Sequence, residues 1–229
     1  MSSDKNSYEE QVDNFIEKLL KTFDAEEKRL RRKEYIFNQW NCCDETDVEN
    51  ACKIRCKNLK NYILSKKAEK EKKKGNSYIL IAESPSLGGR YTGIALTSEH
   101  ITDNYNLDFS LKCTSVNNKK EKLFERTADI VWEEITKSKN NVFIFWNAFA
   151  FNIHKKPKKW FEKPYVEELL ANKEILQTFL GLFPNAKIIA LGTTAEKALK
   201  KLNIDYEEKI RHPSMDFNKE FPKGIKKYL

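Results

Sequence analysis

From Ser77 onward, short apolar runs alternate with amphipathic segments, and few architectures accept that alternation. The runs "SYILIA" (77–82), "NVFIFWN" (141–147) and "AKIIALG" (186–192) are short and apolar on both faces, as strands buried in a parallel sheet are. "YEEKIRHPS" (206–214) reads as a last, weaker strand. Between them, "EKLFERTADIVWEEITK" (121–137), "PYVEELLANKEILQTFLGLF" (164–183) and "TTAEKALKKL" (193–202) carry helical periodicity. Pro164 opens the second of these helices near its first turn, and Thr193 or Thr194 is the expected N-cap of the third. Strands alternating with helices predict an α/β fold, here a three-layer α/β/α sandwich around a central, mainly parallel four-stranded sheet.

The chain before Ser77 is helical in pattern. Val12, Phe15, Ile16, Leu19, Leu20 and Phe23 predict one helix over residues 7–36, and a second runs from about Asp47 to Lys67. The charged run 66–75 reads as a solvated helix end stopped by Gly75. Residues 1–229 are therefore expected to form a single domain, with 1–75 as extra N-terminal helices and 76–229 as the α/β core.

Lys and Arg number 42 against 34 Asp and Glu, a formal net charge of +8, which suits a polyanionic partner such as DNA. No secretory leader and no apolar run of ~20 residues is evident, so a cytoplasmic monomer without membrane contact is expected. Five cysteines are too few and too unevenly placed for a disulfide scaffold. Cys42, Cys43, Cys52 and Cys56 cluster, but no CxxC occurs. Cys52 and Cys56 share one helix face, and the group reads as reduced core thiols rather than a metal centre. No cofactor is expected.

Chemistry concentrates where the strands end. The first runs into Glu83, then Ser84-Pro85-Ser86 and the pair Gly88-Gly89, where the backbone turns sharply or approaches a ligand closely. The second ends at Trp146-Asn147, and the last at His212-Pro213-Ser214. A parallel sheet sets these ends along one edge, so an acid, an amide and an imidazole should converge on one crevice. No G-x-G-x-x-G follows the first strand, which argues against a dinucleotide-binding enzyme.

These residues resemble the uracil-DNA glycosylase superfamily, above all a bacterial branch without an iron–sulfur cluster. The resemblance covers roughly residues 38–217. It rests on the Glu83 loop, "TGIALTSE" (92–99), "WNAFAFNIH" (146–154), "ALGTTAEKAL" (190–199) and "RHPS" (211–214), in the family's order. It implies an enzyme that flips a nucleotide out of DNA, single- or double-stranded, and hydrolyses the base–sugar bond to leave an abasic site. By the same likeness His212 stabilises the departing base, and Asn147 reads the base edge. Glu83 either orients water or stabilises the sugar cation. Ser84, Ser86, Leu96, Phe149 and Phe151 would surround the base. Gly88, Gly89, Arg90, Lys155, Lys156 and Ser214 would contact DNA, with Met215 and Phe217 as wedge candidates.

The sequence departs from the family at several points. Ser84 stands where the best-studied branch has an Asp before the proline, and Ala82 replaces a glycine. Leu96 replaces a base-stacking phenylalanine, Ala150 a proline, and Ser86 a bulky tyrosine. Asn152-Ile153 replaces His-Pro, leaving His154 alone of that pair. Tyr91, Phe149 or Phe151 could take over the stacking. Three readings stay open: excision of uracil or a related pyrimidine, excision of a bulky modified cytosine from phage DNA as antiviral defence, and a non-catalytic nucleic-acid-binding relative.

Overall fold

The computed structural model describes residues 2–22, 36–116, 122–155, 160–161, 163–213 and 220–229. In chain order these form α1 (Ser2–Lys21), β1 (Ile36–Phe37), α2 (Ala51–Lys72), β2 (Ser77–Ala82), α3 (Leu87–Thr92), α4 (Ile101–Asn104), α5 (Arg126–Ile135), β3 (Val142–Asn147), β4 (Asn152–Lys155), β5 (Trp160–Phe161), α6 (Val166–Ala171), α7 (Lys173–Gly181), β6 (Lys187–Leu191), α8 (Gly192–Leu202), β7 (Glu208–Ile210) and α9 (Glu220–Ile225).

The expected sheet is present. Four strands pair in parallel in the order β3-β2-β6-β7, and β2 and β3 are buried along their whole length. Helices cover both faces, giving the three-layer sandwich. On one face Tyr62 of α2 and Trp132 of α5 pack on Phe145 of β3. On the other, Trp146 stacks on Phe179 of α7 with centroids 4.2 Å apart and meets Phe15 of α1 edge-on. Adjacent residues of a strand point to opposite faces, so Phe145 and Trp146 anchor the two helical layers back to back. The first helix touches both α2 and α7.

Register fixes the working edge. Ala82 pairs with Asn147, Ile81 with Ala190, and Leu191 with Ile210, so the carboxyl ends of all four strands lie side by side. From β2 the chain crosses to β3 on one side, and from β6 it crosses to β7 on the other. The direction of winding thus reverses between β2 and β6, where open α/β sheets form their ligand crevice.

Several expectations need correction. The stretch 164–183 is two helices broken at Asn172, not one. Neither Thr193 nor Thr194 caps α8: Leu191 occupies that position with extended backbone and makes no side-chain cap bond. Of the helix expected over 7–36, residues 23–35 lie outside the described residues. A small antiparallel ribbon, β1-β4-β5, stands beside the main sheet and was not foreseen. Among the described residues no helix is long and apolar enough to cross a membrane.

Candidate active site

A cleft of about 580 Å³ opens at the reversal point, and both Glu83 and His212 line it. Glu83 is brought there by β2, whose pairing with β3 runs past the strand ends. The Ala148 N–H donates to the Ala82 carbonyl (2.8 Å) and the Phe149 N–H to the Glu83 carbonyl (2.9 Å). The Glu83 backbone is therefore fixed while its side chain turns to the cleft. Its Oε1 is buried and accepts no hydrogen bond. Burial pushes the carboxyl above its usual range, against the pull of the Lys163 ammonium and the Thr194 hydroxyl.

His212 comes from the end of β7 and rests on the start of α8. Gly192 has φ 81°, and a Cβ there would stand 2.8 Å from the His212 Cβ. Glycine at this turn thus serves both the left-handed backbone and the close approach of the imidazole. Burial pushes the His212 imidazole below its usual value, so the ring is neutral at pH 7. A neutral imidazole still donates one N–H to a developing anion.

The Ser84–Gly89 loop is held from within. Asn152 donates to the Pro85 carbonyl (2.8 Å). Ser86 caps α3 by accepting the Gly89 N–H (3.3 Å) and donates its own proton to Glu125. The Glu125 carboxylate also takes the Gly88 N–H, and its burial raises its pKa. A Cβ on Gly88 would lie 2.3 Å from that carboxylate. The Gly88 amide, expected to face a base or phosphate, is occupied by an acid that the sequence reading did not single out.

Other expected site residues are placed differently. Asn147 ends β3 one register position from Glu83, but it is 5% exposed and does not line the cleft. Phe149 and Phe151 are fully buried, edge to face at 5.7 Å. Leu96 is buried, with φ 51° and its carbonyl accepting the Trp132 indole N–H (3.1 Å). Tyr91 is buried and donates to Thr46 (2.7 Å). These side chains are buried in the core rather than presented as an open stacking platform.

Arg90 is no surface contact for DNA. It is 3% exposed, bonded to Asp44 (2.9 Å) and Asp47 (3.0 Å), with its guanidinium over the Phe37 ring at 4.4 Å. Asp47 also pairs with buried Arg55, so the network ties α2 and α3 to the 44–47 turn. Backbone places Lys155 at the end of β4. Lys156, Ser214, Met215 and Phe217 lie outside the described residues.

The cysteines differ from expectation as well. Cys42 and Cys43 are exposed, and Cys52, Cys56 and Cys113 half-buried, because the first pair sits in the turn leading to α2 rather than under it. Cys43 accepts the Cys52 N–H at 3.3 Å. Among the described residues no group of three or more His, Cys, Asp or Glu side chains is arranged to hold a metal.

The sequence reading missed the cations and hydroxyls of the cleft: Lys163, Lys209, Arg211, Thr193 and Thr194. Lys163, from the segment before α6, donates to Thr194 Oγ1 at 3.2 Å, and both line the cleft with Glu83. A larger groove of about 1180 Å³ runs between α1, α2 and residues 108–110. It holds no strand end and no histidine, so the smaller cleft is the better chemical candidate. No protein-family model matches the chain, and no curated protein matches it significantly.

Proposed function

We propose that this chain is a monofunctional DNA glycosylase, a divergent member of the uracil-DNA glycosylase superfamily, excising uracil or a related pyrimidine. One observation carries the reading: Glu83 and His212, 129 residues apart, line one cleft at the carboxyl edge of the sheet. In this mechanism the bond between the anomeric carbon and the base nitrogen breaks, and its electron pair leaves with the base. The His212 N–H stabilises the charge that develops on a base oxygen. Water adds to the sugar cation, and its proton passes to the Glu83 carboxylate. Asn147, beside Glu83 on the same edge, is the candidate reader of the base.

A monomer with DNA as its partner is part of this proposal, supported by the net charge of +8. The test is incubation with uracil-containing single- and double-stranded oligonucleotides, scoring abasic sites by alkaline cleavage. Glu83→Gln and His212→Ala should each lower excision by about 100-fold or more while the fold survives. Near-native rates in either variant would overturn the assignment. Borohydride should trap no covalent adduct. Lys163 stands in the cleft, but its ammonium is bonded to Thr194 and faces a carboxylate, a poor setting for an amine nucleophile.

A second reading draws on the lining itself. Its described residues include hydroxyls and cations but no Phe, Tyr or Trp. Such a cleft suits a polar 5-substituent, as in hydroxymethylated or glucosylated cytosines of phage DNA. Strong uracil release with untouched glucosylated DNA would end that reading, and the reverse would establish it.

A further inference from the structure

The cleft contains a chain of three groups whose hydrogen-bonding capacities leave little choice of direction. An ammonium only donates, so in the Lys163–Thr194 contact of 3.2 Å the threonine oxygen accepts. The hydroxyl keeps one proton to give, and the carboxylate beside it in the cleft is Glu83. Of the two Glu83 oxygens, Oε1 is buried and makes no hydrogen bond. We infer that Thr194 is a positioning residue: with its oxygen held by Lys163, it turns its proton onto the Glu83 oxygen other than the buried Oε1 and so holds the carboxylate charged and aimed at the cleft, where it takes the proton of the attacking water. For the reaction it serves, this rests on the glycosylase reading. The arrangement of the three groups does not.

The location explains why a threonine in a first helical turn would do this work. Thr194 is the third residue of α8, and its backbone is fixed by the turn at Gly192 that also seats His212. One turn thereby sets the imidazole and, through the hydroxyl, the carboxylate. Lys163 arrives from a different segment and holds the hydroxyl from the open side.

The test combines a titration with a rate. Carbon-13 NMR of labelled glutamate follows Glu83 in the wild type and in Thr194→Val, Thr194→Ser and Lys163→Met. The Glu83 resonance is identified by its loss in Glu83→Gln. Removing the hydroxyl or the ammonium should move the Glu83 titration upward, and Thr194→Ser should return it toward the wild-type position. With excision measured in parallel, Thr194→Val should lose roughly 3- to 10-fold in kcat. The acid limb of its pH profile should shift to higher pH, and Thr194→Ser should restore both. If Glu83 titrates identically in Thr194→Val and wild type, the inference is overturned. If the titration moves as expected but no DNA substrate loses a base, the positioning role stands and the glycosylase reading falls.

Discussion

Glu83 and His212 are displaced by the same cause in opposite directions, and the signs can be worked out. Burial raises the Glu83 carboxyl and lowers the His212 imidazole, because it disfavours the charged form of each. A carboxyl raised in the folded state supports stability fully below its unfolded value, and that support is lost as pH rises through the folded value. The lowered imidazole does the reverse: its contribution is present above the unfolded value and lost as pH falls toward the folded one. Glu83→Gln should therefore be more stable than wild type at pH 7, seen as a higher Tm. The gain should vanish near pH 4, where the wild-type carboxyl is protonated. Thermal melts at the two pH values check this, and an equal gain at both would exclude titration as the cause. The meeting of Glu83 and His212 was legible in the sequence because strand periodicity marks where strands stop, and chemistry in a parallel sheet collects at those stops; Asn147 ends its strand as expected but does not line the cleft. Lys163, Thr194 and Glu125 were not legible. Their side chains reach the Glu83 loop across the fold, and no local pattern distinguishes them from surface Lys, Thr and Glu.

The four strands were readable from their apolar runs, whereas the break between α6 and α7 was not. Apolar residues at Leu169, Leu170, Ile175, Leu176 and Phe179 continue a helical rhythm across Asn172, and nothing local demands an interruption. The reason for it is tertiary. Asn172 is fully buried, donates to the Ala148 carbonyl (2.9 Å) and accepts the Ala150 N–H (3.3 Å). One amide thus satisfies a donor and an acceptor of the loop that leaves β3, directly beside Asn147. Gln39 holds the same loop from the other side, donating to the Ala150 carbonyl at 2.9 Å. Asn172→Ala should leave two buried backbone groups unpaired and cost about 2–3 kcal/mol in urea unfolding. Asn172→Asp should not rescue it, because the carboxylate cannot donate to Ala148. A loss below about 0.5 kcal/mol would mean that water or a shifted loop takes over both bonds. The β1-β4-β5 ribbon was missed for a similar reason. Two-residue strands carry no periodicity, and only pairing partners from distant segments define them.

At the scale of the whole molecule, charge and topology make a joint claim about where DNA would lie. The net charge of +8 does not choose a surface, and many of the described lysines are committed to ion pairs on helices α1, α2 and α8. Arg55 and Arg90 are spent inside the fold. Around the cleft, however, Lys163 from the segment before α6 joins Lys209 and Arg211 from β7 and its carboxyl end to line one opening with Glu83 and His212. Among the described residues, Glu196 takes Lys209 at 3.2 Å. A phosphate backbone crossing that edge would release counterions for each cation it meets, with a slope of about −0.9 in log affinity against log salt per duplex phosphate neutralised. Replacing Lys163, Lys209 and Arg211 together with Ala should flatten the slope by about 2–3 and weaken binding most at low salt. Fluorescence anisotropy of a labelled duplex across a salt series reads both quantities. The run 155–159 is the competing path, since it follows the strand that ends at Asn147 and pairs lysines with Trp160. Replacing Lys155, Lys156, Lys158 and Lys159 with Ala tests it in the same assay. If that change flattens the slope and the cleft change does not, the duplex runs over the β4–β5 ribbon. In that case Glu83 and His212 must reach their base from the side of Asn147 rather than from the β6–β7 side.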